Sequence, residues 1–383
     1  MLIRDLVCWM DTAPDAARAR AAHALARSFL TSELDDCEKR DAEAALTWLL
    51  DDPAPTVRAA LADGLADSKN APRHLILCLA SDIPPIASLV LMRSPLFLDA
   101  ELVDFVALGD ADIQMAVARR PSVSAVVSAS LAETGALEAC LELLANPAAV
   151  FTRSALERLV ERFDSDAELR RALMTRPGIP LAVKQKLVAQ LAESLCRAPT
   201  VGTGLKAERA RHMLGEARDR ITVAMAQDAE LPEMVGLVDY LRANAQLTPT
   251  LLLRAVCTGN MGLFIAAMSV LADMPVERVE QVLANGWGAS LRALFKRAKL
   301  PPKLHSAFET ALVTYREIAA ADAALSGFAF TRRMIQTVLD HHEPEEGFDD
   351  GLDPLRRLLR RLETEAARDS ARLFAQQVSL PAA

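Results

Sequence analysis

Metal and acid–base chemistry would fall first to a stretch near the end of the chain, where His341, His342, Glu343 and Asp349 stand close together. All four are competent ligands. Adjacent histidines point in different directions, however, and no i, i+4 histidine pair is present, so no metal site is expected. The surrounding DHHEPEEGFDDGLD holds seven acids and no base, the composition of a solvated loop. Phosphate chemistry would fall to Gly202, Gly204 and Lys206. Their spacing departs from G-x-x-x-x-G-K-[ST] and no apolar strand precedes them, so a hinge followed by a polar surface helix is expected, with an anion or partner site as the alternative.

Nucleophilic chemistry has no better foothold. No G-x-S-x-G elbow, H-E-x-x-H helix or strand-borne G-x-G-x-x-G turn occurs, and His23, His74, His212 and His305 are scattered. The pair Asp51/Asp52 suits a capping role in its turn and Asp349/Asp350 a loop. Cys8, Cys37, Cys78, Cys140, Cys196 and Cys257 include no close pair, and Cys78 sits in the apolar run LILCLA. They read as buried, reduced thiols of a cytoplasmic protein. No catalytic residue and no cofactor is expected.

The side chains left to act are arginines. Arg93, Arg119, Arg120 and Arg176 stand beside prolines, and Arg356, Arg357, Arg360 and Arg361 fall in LRRLLRRLETEAARDSARLF. In that segment Leu355, Leu358, Leu359 and Leu362 make the opposite face. Asp353 and Pro354 form its start, an N-cap followed by a first-turn proline. These eight arginines are the candidate partner contacts; turn-capping and stacking between helices is the competing role for the first four, and capping an open end with its arginines in water is the competing role for the terminal helix.

The elements that must position them are marked by prolines. Pro72, Pro95, Pro121, Pro147 and Pro177 recur at spacings of 23, 26, 26 and 30 residues, and Pro249, Pro275 and Pro301 at 26 and 26. A short apolar-periodic segment such as DIQMAVARR ends before the proline, because proline disfavours helical geometry in its predecessor. The proline is then expected to open a second helix, where its missing N–H matters little. In VVSASLA and LERLVERF the apolar residues recur at three- and four-residue intervals, which gives each helix one buried stripe. A single pair cannot bury its stripe, whereas stacked pairs can. The apolar run AVCTGNMGLFIAAMSVLA is split by Thr258, Gly259 and Asn260 into two buried helices rather than one membrane span.

In LLDDPAPTVRAALADGLAD, Asp51 and Asp52 precede Val57 and Arg58, with Leu61 and Leu65 at helical spacing. This resembles a HEAT repeat, in which the aspartate caps a helix and the arginine reaches a neighbouring turn. DSDAELRRALMTRPGIP resembles the shorter leucine-rich-variant repeat. Over most of residues 40 to 340 the chain resembles an uncharacterised bacterial family with HEAT-like repeats, domain-of-unknown-function family two-three-three-six. The resemblance implies an all-α, right-handed α-solenoid and no known activity.

The expected organisation is a repeat block over 1–198, an irregular hinge and polar helix over 199–230, a second repeat block over 231–325, and a C-terminal acidic loop with a basic amphipathic helix over 326–383. With 43 Lys and Arg against 51 Asp and Glu, the net charge of −8 opposes general nucleic-acid binding. Trp48, Trp287, Tyr240 and Tyr315 are expected in core or inter-repeat packing. The leading expectation is a non-catalytic scaffold or regulatory adaptor that binds another protein. A ligand-binding protein or enzyme with a pocket near residues 198 to 230 is the alternative, and a nucleic-acid binder the third. Exposed ends of a stack, together with the terminal helix, leave self-association open.

Overall fold

The computed structural model describes residues 9–10, 12–197, 207–286, 288–321, 327–341 and 353–379. Among these the architecture is all-α, with no strand and one isolated parallel bridge, Val123 to Ala149. The chain divides into two compact units, Met1–Ile179 and Pro180–Ala383. The helix over 181–197, expected to close the first block, therefore belongs to the second. Gly202, Gly204, Lys206, Trp287, Cys8, His342, Glu343 and Asp349 lie outside the described residues.

The first unit contains α1 (Asp15–Thr31), α2 (Asp36–Trp48), α3 (Pro55–Leu65), α4 (Arg73–Ala80), α5 (Pro84–Arg93), α6 (Asp99–Leu108), α7 (Ala111–Ala118), α8 (Ala125–Thr134), α9 (Leu137–Ala145), α10 (Arg153–Arg162) and α11 (Ala167–Thr175). Contacts skip alternate elements: α1, α3, α5, α7, α9 and α11 pack in sequence as one row, and α6, α8 and α10 as another. Apart from α1, these helices have 13 residues or fewer and are too short to be stable alone, so the apolar stripe must hold each of them. Val127, Leu131 and Ala132 of α8, and Leu156, Leu159 and Val160 of α10, are all buried. Polar caps start the helices where the stripe begins: Asp110, Ser124, Thr152 and Asp166 accept from Ile113, Val127, Ala155 and Leu169 N–H.

Pro249 is the first residue of its helix, and Pro72 and Pro275 stand immediately before theirs, as expected; other prolines act differently. Pro95, Pro121 and Pro147 precede their second helices by several residues, in short links of turn and irregular backbone. The reason lies in the residue before each proline. Ser94, Asn146 and Arg176 take extended backbone, as a pre-proline residue must, and this turns a polar side chain out of the helix end. Arg120 donates through Nη2 to the carbonyl of Ser94 at 2.7 Å, Asn146 through Nδ2 to the carbonyl of Arg120 at 2.8 Å, and Arg176 through Nη1 to the carbonyl of Asn146 at 2.8 Å. Each of these three residues thus holds the carbonyl of a pre-proline residue 26 or 30 positions earlier. The same side chains reach the preceding helix ends at Leu91, Ala118 and Leu144, closing carbonyls that helix geometry leaves open. Arg120 also lies over Phe97 and Arg176 over Phe151, rings that follow the proline of the earlier unit. In the other row, Arg162 donates to the Ala132 and Gly135 carbonyls, both at 2.8 Å.

Arg58 reaches a neighbouring turn as expected, whereas Asp52 braces the turn before α3 and does not cap the helix. Asp52 accepts from Ala54 N–H at 2.9 Å and from Arg18, while Arg58 donates to the Asp52 carbonyl and bridges to Asp82 in the next turn. Several expectations of burial fail. Cys78 is exposed, because Leu75, Ile76, Leu79 and Ala80 form the stripe of α4 and position 78 falls opposite it. Trp48, at the end of α2, is 42% exposed. Cys37 is exposed and Cys196 half-buried; only Cys140 and Cys257 are buried thiols among those described.

The second unit contains α12 (Leu181–Arg197), α13 (Ala207–Met225), α14 (Leu231–Ala243), α15 (Pro249–Cys257), α16 (Met261–Ala272), α17 (Val276–Asn285), α18 (Ala289–Arg297), α19 (His305–Ala321), α20 (Gly327–Asp340) and α21 (Asp353–Ser379). Its centre is α15, buried from Leu251 through Cys257 and packed against α13, α16, α19, α20 and α21. The turn at 258–260 separates α15 from α16 as expected: Gly259 takes φ +81° and Asn260 caps Leu263 N–H. Carbonyls at helix ends are again closed by arginines, Ala272 and Asp273 by Arg297 and Gly286 by Arg316. Among the described residues no helix is long and apolar enough to cross a membrane.

Candidate functional site

In the first unit the odd-numbered row carries two adjoining grooves. One, of about 400 Å³, runs between α5 and α7 over Leu89, Met92 and Met115; the other, of about 720 Å³, runs across α7, α9 and α11 over Met115, Leu141 and Ala145. Met115 lines both, so they form one furrow. Helical packing explains its floor: α5 turns Val90 and Leu91 inward, leaving Leu89 and Met92 half-covered on the outer side. Methionine is flexible and polarisable, suited to a surface that adapts to a partner.

The rim is charged and internally paired. Arg93 bridges Asp63 at 2.7 Å and Asp67, Arg119 bridges Glu142 at 2.5 Å, and Arg171 lies 3.6 Å from Glu168. The Arg93 guanidinium holds the Asp67 carboxyl below its ordinary range, and Arg119 does the same to Glu142. These carboxylates are therefore charged at any physiological pH. Asp112 and Glu138 add further negative charge along the furrow.

The eight candidate arginines separate by position. Arg93 and Arg119 stand on the furrow's rim. Arg120 is 7% exposed and Arg176 half-buried; both are spent on backbone carbonyls, and burial lowers both guanidinium pKa values. They are internal staples, since a cation enclosed by carbonyls of its own chain has no face left for a partner. On α21, Leu358, Leu359 and Leu362 are buried as expected, with Arg357, Arg360 and Arg361 exposed. Arg356, expected in water, is buried instead, because α21 packs against both α15 and α20 and its covered arc exceeds one leucine stripe.

Reading one strand of sequence could not reveal the furrow. Met92 and Met115 look like ordinary stripe residues, and only the stacking of alternate helices brings them side by side. The histidines stay dispersed: His23 lies near Asp63, His74 near Thr47, and His305 reaches the Leu300 carbonyl. Among the described residues no group of three or more His, Cys, Asp or Glu side chains is arranged to hold a metal ion.

A family model described as an uncharacterised protein conserved in bacteria, DUF2336, matches residues 86–369. No curated protein and no solved structure matches the chain.

Proposed function

Because the chain belongs to the family of uncharacterised proteins conserved in bacteria, DUF2336, whose description carries no reaction, we propose a function from its own surfaces: a non-catalytic scaffold or adaptor that binds another protein along the α5–α11 furrow. On this reading the first unit is a right-handed α-solenoid of HEAT-like or leucine-rich-variant-like repeats. The pre-proline contacts at 26- and 30-residue intervals support it, since they join each unit to the one before in the same way. The second block of regularly spaced prolines continues the theme in the second unit.

The observation that carries the proposal is the shared Met115 floor between paired charges. An apolar furrow with a paired but predominantly acidic rim suits an amphipathic helix of a partner, which would lay apolar anchors on the methionines and polar or basic residues along the rim. The rim's alternating charge would fix register rather than supply bulk affinity. A nucleic acid is a poorer fit, because Asp112, Glu138, Glu142 and Glu168 line the same path.

The test places a photo-crosslinking residue at Met115 in the bacterial cell, with a second at exposed Val126 on the other row as control. A discrete protein adduct is expected at 115 and not at 126. The paired substitution Met92→Glu and Met115→Glu should abolish co-purification of that partner while helix content and Tm stay within a few degrees of wild type. Crosslinks equal at both positions, or co-purification untouched by the double substitution, would sink the proposal.

A further inference from the structure

A different feature stands in the second unit, where α13, α15 and α21 enclose a cleft of about 290 Å³. Three guanidinium groups line it, Arg254 from α15 and Arg357 and Arg361 from α21, with Glu216 and Asp219 contributed by α13. Arg254 is 3% exposed and interrupts an otherwise uncharged buried run, Leu251–Cys257. Its Nη1 is bound by Glu365 at 2.6 Å, leaving most of a five-donor fork unassigned. A buried ion pair contributes little net stability against an apolar replacement, so its placement at the wall of a cavity points to a role beyond folding.

Gly215 supplies the second observation. It sits in the middle of α13 and lines the cleft, and a Cβ built there would meet no heavy atom within 4 Å. Neither packing nor a positive φ requires glycine at this position, although it costs a helix about 1 kcal/mol relative to alanine. The space left by the missing side chain is part of the cleft.

Charge assigns the ligand class. Glu216 is engaged by Arg361 and lies 3.4 Å from His212. Burial pushes the Asp219 carboxyl above its ordinary pKa, against the opposing pull of Arg218 and Arg254, and among the lining residues three guanidinium groups face two carboxylates. We propose that this cleft binds a small phosphomonoester bearing hydroxyl groups, such as a sugar phosphate, with the Arg254, Arg357 and Arg361 guanidinium groups on the phosphate and Asp219 and Thr250 on the hydroxyls. Planar guanidinium forks match phosphate oxygens bidentately. The volume lies at the small end of ligand sites, which suits a single phosphorylated sugar rather than a dinucleotide.

The test is calorimetric titration of the full chain with ribose 5-phosphate, inorganic phosphate, ribose and citrate. Saturable binding of ribose 5-phosphate is expected, at least about tenfold tighter than inorganic phosphate or citrate, with no heat from ribose. Gly215→Leu, which fills the cleft, and Arg357→Gln, on its exposed rim, should each weaken binding at least about tenfold while the circular dichroism spectrum is unchanged. Should Gly215→Leu not fold, Arg357→Gln alone decides. Absence of saturable binding at millimolar ribose 5-phosphate, citrate binding as tightly, or variants that bind like wild type would overturn the assignment. None of these outcomes bears on the furrow, which lies in the other unit.

Discussion

Asn146 donates its side-chain amide to the backbone carbonyl of Arg120, 26 residues earlier, while Arg120 donates its own guanidinium to Ser94 another 26 residues back. A neutral amide and a cation thus make equivalent contacts 26 residues apart. What the place demands is an N–H donor long enough to reach the previous helix end. Charge is secondary, so the energetic role differs from one unit to the next.

That difference is measurable. Arg120→Met leaves the Leu91 and Ser94 carbonyls buried without their donor and should lower the free energy of unfolding by about 2–4 kcal/mol. Asn146→Ala should cost about 1–2 kcal/mol. Arg93→Met, which breaks only partly exposed ion pairs, should cost less than about 1 kcal/mol. Urea unfolding midpoints at unchanged m-value would show the ranking; an Arg93 effect equal to that of Arg120 would contradict it.

Thiol reactivity should follow burial. Burial pushes the Cys140 thiol up to about 11 and the Cys257 thiol up to about 12, so neither forms thiolate at pH 8. Cys37 and Cys78 are exposed. Brief alkylation of the native protein, mapped by mass spectrometry, should modify 37 and 78 and spare 140 and 257 until denaturant is added.

Two aspartates should respond to pH with opposite sign. Arg18 holds the Asp52 carboxyl below its ordinary value, so its contribution to stability is full above the unfolded-state pKa and is lost as pH falls through the lower folded-state value. Asp52→Asn should therefore lose less stability than wild type on acidification below about pH 4. Asp219 is raised by burial, so its ionisation opposes folding as pH rises. Asp219→Asn should be more stable than wild type at neutral pH, with the advantage fading below about pH 4. Thermal melts of both variants across that range check the signs.

Gly259 meets a backbone requirement that Gly215 does not. At φ +81° any side chain is strained, and a Cβ there would come within 3.2 Å of the Phe330 ring. Gly259→Ala should destabilise the second unit by about 1–2 kcal/mol, whereas Gly215→Ala should be neutral or stabilising. Equal losses at the two positions would remove the distinction.

The sequence by itself determined the helical class, the turn at Thr258–Asn260 and the reach of Arg58 to a neighbouring turn. All of these follow from local rules: stripe period, caps, and the geometry that proline imposes on its predecessor. Arg120, Asn146 and Arg176 were visible as positions before prolines, although the carbonyls they hold were not. Only the tertiary structure decided that Arg120 and Arg176 face inward, that Cys78 and Trp48 face outward, and that Arg356 is buried beside exposed Arg357. It also decided that Met92 and Met115 share one floor, and that the polar helix α13 and the basic helix α21 close on the same buried Arg254. These outcomes depend on which helices become neighbours. A periodic stripe specifies that one face will be covered, and leaves the covering element to the packing of the whole unit.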